Sequence, residues 1–84
     1  MKYTVVWLSG AQNVLADIWN RASDRPAVRA AADRIDLELK RDAHRKGSPA
    51  GGNRRVLHIP PLAVLFTADP GDCKATVLHV ARAP

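Results

Sequence analysis

The chain has 84 residues, 46% hydrophobic and 25% charged, with a formal net charge of +5 and a sequence pI of about 10.2. That is one small globular domain, residues 1–84, and it excludes two domains, wholesale disorder and a membrane span, since no apolar run nears the roughly 20 residues a span needs. A domain this small buries only about 60% of its unfolded surface, so a partner or a second copy would add to its stability. Cys73, the single cysteine, rules out an internal disulfide. No Cys/His spacing suits zinc, no cofactor motif appears, and the opening residues lack the apolar core of a secretory signal, so the default is a cytoplasmic protein without metal or cofactor. The positive balance favours an anionic partner, nucleic acid or an acidic polypeptide.

Tyr3 to Leu8 is β-branched and aromatic and reads as a strand. Its apolar character on both parities predicts pairing on both sides or cover on both faces. Ser9-Gly10-Ala11-Gln12 has capping-box spacing and opens a helix with Ala11, Val14, Leu15, Ile18 and Trp19 on one stripe. Ser23-Asp24-Arg25-Pro26 ends it and starts another, capped by Ser23 or Asp24 with Pro26 in the first turn. This second helix is predicted from about Pro26 to Ala43, burying Val28, Ala31, Ala32, Ile35 and Leu39. Arg34 with Glu38, and Asp36 with Lys40, stand four apart and can pair. Gly47 to Asn53 reads as a flexible loop, neither helix nor strand.

Arg54 to Thr67 reads as two strands joined at Pro60-Pro61. Ala68 to Asp72 is a turn, and Cys73 to Val80 the last strand. The order β-α-α-β-β-β predicts an α+β fold, a helical hairpin packed on one face of a mostly antiparallel four-stranded sheet. If Leu57, Ile59, Leu78 and Val80 face the helices, alternation sends Val56, His58, Val77 and His79 to the open face. His58 and His79 would then share a surface about 10 Å across, with Arg54, Arg55 and Arg82 near its rim. Arginines there would neutralise phosphates, and an imidazole titrating near neutrality could move protons in RNA cleavage. The plain alternative is that each histidine is a half-exposed spacer and the arginines are solvated or partner-binding. His44 reads as solvated in the basic run Lys40, Arg41, Arg45, Lys46, and Cys73 as structural or incidental. No phosphate loop, nucleophile elbow or His-Glu-x-x-His is present.

In their order and spacing these segments resemble the RelE/ParE superfamily of bacterial toxin–antitoxin toxins, including plasmid-stabilisation types. The matching stretches are Tyr3-Thr4-Val5-Val6-Trp7, the Leu15/Ile18/Trp19 helix, Val28 to Leu39, Gly47, Arg55-Val56-Leu57, Pro61 to Phe66 and Val77-Leu78-His79-Val80. The resemblance implies a toxin neutralised by a cognate antitoxin. Its leading implication is ribosome-dependent cleavage of mRNA, which makes the ribosome and mRNA partners. On that reading His58, His79 and Arg82 are catalytic, and Arg54, Arg55, Arg45 and Lys46 bind nucleic acid. The alternatives are non-enzymatic inhibition of DNA gyrase, or a degenerate toxin that keeps only antitoxin binding. A homodimer or a toxin–antitoxin hetero-oligomer is the implied assembly. The chain departs from the nuclease pattern at Ala63, where a basic residue is common, and at Phe66, where a tyrosine is. The aromatic or histidine tail that follows the last strand in nuclease members is also missing.

Overall fold

Residues Thr4–Trp7 form β1, which leads through Leu8 into α1 (Ser9–Arg21) and then α2 (Arg25–Leu39). A short 3-10 turn at Ala43–Arg45 precedes β2 (Ser48–Pro49), β3 (Arg54–Ile59), β4 (Leu62–Asp69) and β5 (Lys74–Arg82). The computed structural model describes all residues 1–84. The sheet has five strands in the order β1-β5-β4-β3-β2, antiparallel throughout except for the parallel β1–β5 pair. The α+β class, the helical hairpin and its packing on one face stand as expected.

The fifth strand comes from the segment expected to be loop: Ser48 pairs with Val56 and Pro49 with Arg55. Gly47 makes this possible. Its φ of +64 turns the chain, and a Cβ there would run into the Val56 carbonyl, so only glycine brings the backbone this close. At the other edge, β1 pairs on one side only. Its two apolar parities have a different cause: Val5 and Trp7 pack on the core, and Val6 lies half-buried on the other face.

The helix starts also differ from the sequence reading. Leu8, not Ser9, is the N-cap of α1, with no side-chain cap. Its N–H is held by the Val77 carbonyl at 3.1 Å, so the chain leaves the sheet directly into the helix. Asp24 is the N-cap of α2 but does not cap it; its carboxylate goes to Arg82 instead. Pro26 does occupy the first turn. The helix stops at Leu39 rather than Ala43, because Asp42 takes a left-handed conformation (φ 51, ψ 44) that reverses the chain.

Core side chains come from one face of the sheet and the inner faces of the helices. Phe66, Ile35, Leu39, Leu62, Val28, Val64, Val77 and Val80 are all fully buried. Inward residues alternate along β4 as Leu62, Val64, Phe66 and Ala68. Along β5 they do not. The β4–β5 register shifts between Leu65 and Phe66, which leaves Leu78 as an extra residue. This bulge reverses the alternation, so Val77 and Val80 both point inward. The expectation that Val77 faces outward is thereby corrected, while His79 keeps its outward place.

The molecule is elongated, 39 × 19 × 19 Å. One end carries the α1–α2 turn, Arg82 and the Pro60-Pro61 turn, and the other the N-terminus, residues 40–45 and the β4–β5 turn.

Candidate functional site

Both helices lie on one side, so the opposite face of β3-β4-β5 is uncovered. Register arranges it in rows: His58–Ala63–Ala81, then Val56–Leu65–His79, then Arg54–Thr67–Thr76. Its middle is aliphatic, and Val56 is 39% exposed. His58 and His79 do share this face, as alternation predicted. They are two strands and two residues apart, roughly 12 Å between Cα atoms from standard spacings. Ala63 and Leu65 lie between them, not charged groups.

The other nominated residues do not converge there. Arg82 pairs with Leu62, an inward position, so its side chain goes to the helix side. There its Nη2 donates to Asp24 Oδ2 at 2.7 Å. The ion pair holds the Asp24 carboxyl below its ordinary value and raises Arg82 further. The second Asp24 oxygen is buried without a partner. Arg55, opposite buried Phe66, is also on the helix side and donates to the carbonyls of Lys46 and Gly47 at 2.6 and 3.1 Å. Lys46 binds Glu38 on α2 at 2.9 Å. That bond is the main reason the Glu38 carboxyl is depressed. Arg45 and Arg54 are exposed and make no ion pair, but Arg54 sits on the open face and Arg45 on the 3-10 turn.

His58 is also occupied. Its Nε2 donates to the Ala83 carbonyl at 2.6 Å, and the Ala83 N–H donates to Pro61 at 2.8 Å. The imidazole therefore fastens the C-terminal segment to the β3–β4 turn. Of the nominated histidines only His79 is free of a hydrogen bond, and exposed Arg54 is the other nominated residue that stands unbonded on the open face.

One titratable pair was missed. His44 is half-buried rather than solvated, and its Nδ1 shares a 2.6 Å hydrogen bond with the Tyr3 hydroxyl. Burial pushes the Tyr3 phenol above its ordinary value, with nearby Cys73 adding to the effect. The left-handed turn at Asp42 swings His44 back over β1, and nothing in the spacing of residues 3 and 44 announces that contact.

The helix side carries a second surface. A groove of about 510 Å³ between α1 and α2 is floored by Trp7, Leu15, Trp19, Val28 and Ala32, and edged by Arg29, Asp33 and Asp36. Both tryptophans of the chain line it. No group of His, Cys, Asp and Glu is placed to hold a metal, and no helix is long and apolar enough to cross a membrane.

The sequence matches no protein-family model and no curated protein. Solved structures do match. A chain of the RelBE2 toxin–antitoxin complex from Mycobacterium tuberculosis superposes with a TM-score of 0.78 at 20% identity, covering 98% of this chain and 99% of that one. A mutant of the E. coli toxin RelE in the free state gives 0.74 at 10% identity, covering 99% and 85%. A chain of the chromosomal ParDE system of P. aeruginosa gives 0.64 at 15% identity, covering 99% and 98%. The architecture is thus that of the RelE/ParE toxins. This chain carries that fold from end to end, with an open face populated by its own residues.

Proposed function

We propose that this chain is the toxin of a toxin–antitoxin pair, and that it acts by binding its target through the open sheet face rather than by cutting RNA. The fold supports the first half, because the three matching structures described above are toxins or toxin–antitoxin assemblies. The second half rests on one observation: the open face has an aliphatic centre and a single unbonded imidazole, with no cation beside it. Cleavage of a phosphodiester needs a positioned acid or base together with charge stabilisation at the phosphate. Arg82 and Arg55, the arginines nominated for that second task, are turned to the helix side and engaged there. A nuclease reading would depend on His79 with Arg54 as the one nominated cation on that face, their Cα atoms roughly 12 Å apart.

An exposed aliphatic sheet is instead suited to a protein target, and DNA gyrase is the first to assay. The α1–α2 groove, with its two tryptophans, supports engagement by an antitoxin segment bearing apolar anchors, since buried aromatics dominate such interfaces. Inducing the chain with and without its antitoxin, mapping transcript ends and assaying gyrase supercoiling test the reading together. Growth arrest relieved by the antitoxin, with no new transcript ends and with supercoiling inhibited, is the expected pattern. New ends that vanish in His79→Ala would overturn it in favour of the nuclease.

A further inference from the structure

The cations of this chain fall into two groups. Of its 13 Lys and Arg side chains, Arg21, Arg34, Lys40, Lys46 and Arg82 are in ion pairs. Arg25 and Arg55 donate to main-chain carbonyls. Three of the remainder come together at one end of the molecule. Lys2 and Arg41 face each other in an antiparallel β-bridge, which sets their Cα atoms about 5 Å apart. Arg45 follows on the 3-10 turn, whose position is fixed by the Arg45 N–H to the Asp42 carbonyl at 2.8 Å.

The platform under them is well tied. Tyr3 donates to Lys40 O at 2.8 Å and Asp42 to Met1 O at 2.9 Å, and Tyr3 braces His44. The carboxylate inside the cluster, Asp42, is engaged by the terminal ammonium of Met1 at 3.0 Å. Asp69, on the neighbouring turn, accepts the N–H groups of Gly71 and Asp72, which leaves Asp72 as the one carboxylate on that turn without a bond. Lys2, Arg41 and Arg45 form no ion pair of their own, although Asp42 lies among them, and Lys74, opposite Asp69 at the start of β5, is a fourth unpaired cation at this end.

We propose that Lys2, Arg41 and Arg45 form a rim that binds the phosphate backbone of a nucleic acid without reading its sequence. This surface is separate from the open sheet face, and it stands whether or not the toxin reading holds. Guanidinium forks match phosphate oxygens in two-point contacts, and a duplex presents charge every ~1.7 Å of axis, so three clustered cations find partners at any register. An acidic polypeptide is the weaker fit. Protein interfaces draw their affinity chiefly from buried aromatic anchors, and the large apolar side chains left exposed at this end, Met1 and Leu37, include no aromatic.

The test is fluorescence anisotropy of a labelled DNA duplex and a labelled single-stranded RNA, titrated at several salt concentrations. Neutralising three phosphates gives a log–log salt slope near −2.7 on duplex, or about 40-fold weaker binding at 200 mM than at 50 mM salt. Each of Lys2→Gln, Arg41→Gln and Arg45→Gln should flatten the slope by about 1, and the triple variant should bring it close to zero. The control triple Arg21→Gln, Arg29→Gln, Arg34→Gln removes the same charge from the helices and should keep the wild-type slope. All six side chains are exposed, and matching circular dichroism spectra would confirm that every variant folds. Equal loss in both triple variants would overturn the proposal, because bulk charge would then explain the binding. So would tight capture of a polyglutamate peptide with no measurable affinity for either nucleic acid.

Discussion

The two faces of this molecule treat polar chemistry in opposite ways. On the helix side, charge is spent internally. Arg34 meets Glu38, Lys40 meets Asp36, Lys46 meets Glu38 and Arg82 meets Asp24, at 2.7 to 3.2 Å. On the open face of β3-β4-β5, Val56, Leu65 and His79 form a row that no part of the chain covers or bonds. A small domain gains little by leaving aliphatic side chains in water, at a cost of roughly 25 cal/mol per Å² of apolar surface. The paired face is therefore the one that makes the fold, and the unpaired face is the one available to a target.

If that division is right, the largest stability losses come from the helix side and its supports. Phe66→Ala should cost about 4 kcal/mol, a large share of the roughly 4–13 kcal/mol that a domain of this length has. Chemical denaturation of the variant would read it. Gly47→Ala should also unfold the β2–β3 edge, since the new Cβ collides with the Val56 backbone and the positive φ disfavours alanine; hydrogen exchange at Val56 and Arg55 would rise. A value within 1 kcal/mol of wild type for Phe66→Ala would erase the distinction between the faces.

Acid should attack the helix side next. Asp24, Glu38 and Asp42 are held below their ordinary values, chiefly by Arg82, Lys46 and the terminal ammonium. A carboxyl depressed in the folded state adds stability above its ordinary value, near 4, and loses it as pH falls through the folded value. The urea midpoint should be level above about pH 5 and decline below about 4. Asp24→Asn, Glu38→Gln and Asp42→Asn together should flatten that decline, whereas Asp33→Asn, a carboxylate without a partner, should not. The smallest effect is Arg34→Gln, an exposed pair four residues apart on a helix, which should cost only about 0.3–0.5 kcal/mol and less at high salt. On the groove itself, docking of an antitoxin should shift the Trp7 and Trp19 fluorescence to shorter wavelength, and Trp19→Ala should weaken the complex more than any change on the open face.

Much of this was legible in the residues. The 3.6-residue stripe of Ala11, Leu15 and Ile18, the four-apart charge pairs and the outward placement of His58 and His79 follow from local periodicity, and all are present. What periodicity could not supply was tertiary. The bulge at Leu78 reverses one strand's alternation through its pairing with β4. The two-residue β2 exists because Gly47 lets the chain approach Val56. Asp24 was read as a cap, yet an arginine 58 residues later claims its carboxylate. Tertiary contacts also engaged Arg82, Arg55 and His58. Arg55 and His58 stand on the strand expected of them, whereas β5 runs past its expected end at Val80 to include Arg82. Arg82 and His58 bond to partners 58 and 25 residues away, and Arg55 to carbonyls 9 and 8 residues back.

The central claim is that the open face works by contact, with His79 as one member of an aliphatic row. Growth inhibition by Val56→Glu and His79→Ala, induced side by side at matched protein levels, tests it most directly. The account predicts that Val56→Glu abolishes inhibition while folding normally, and that His79→Ala still arrests growth. Arrest that survives Val56→Glu but is lost in His79→Ala would contradict it.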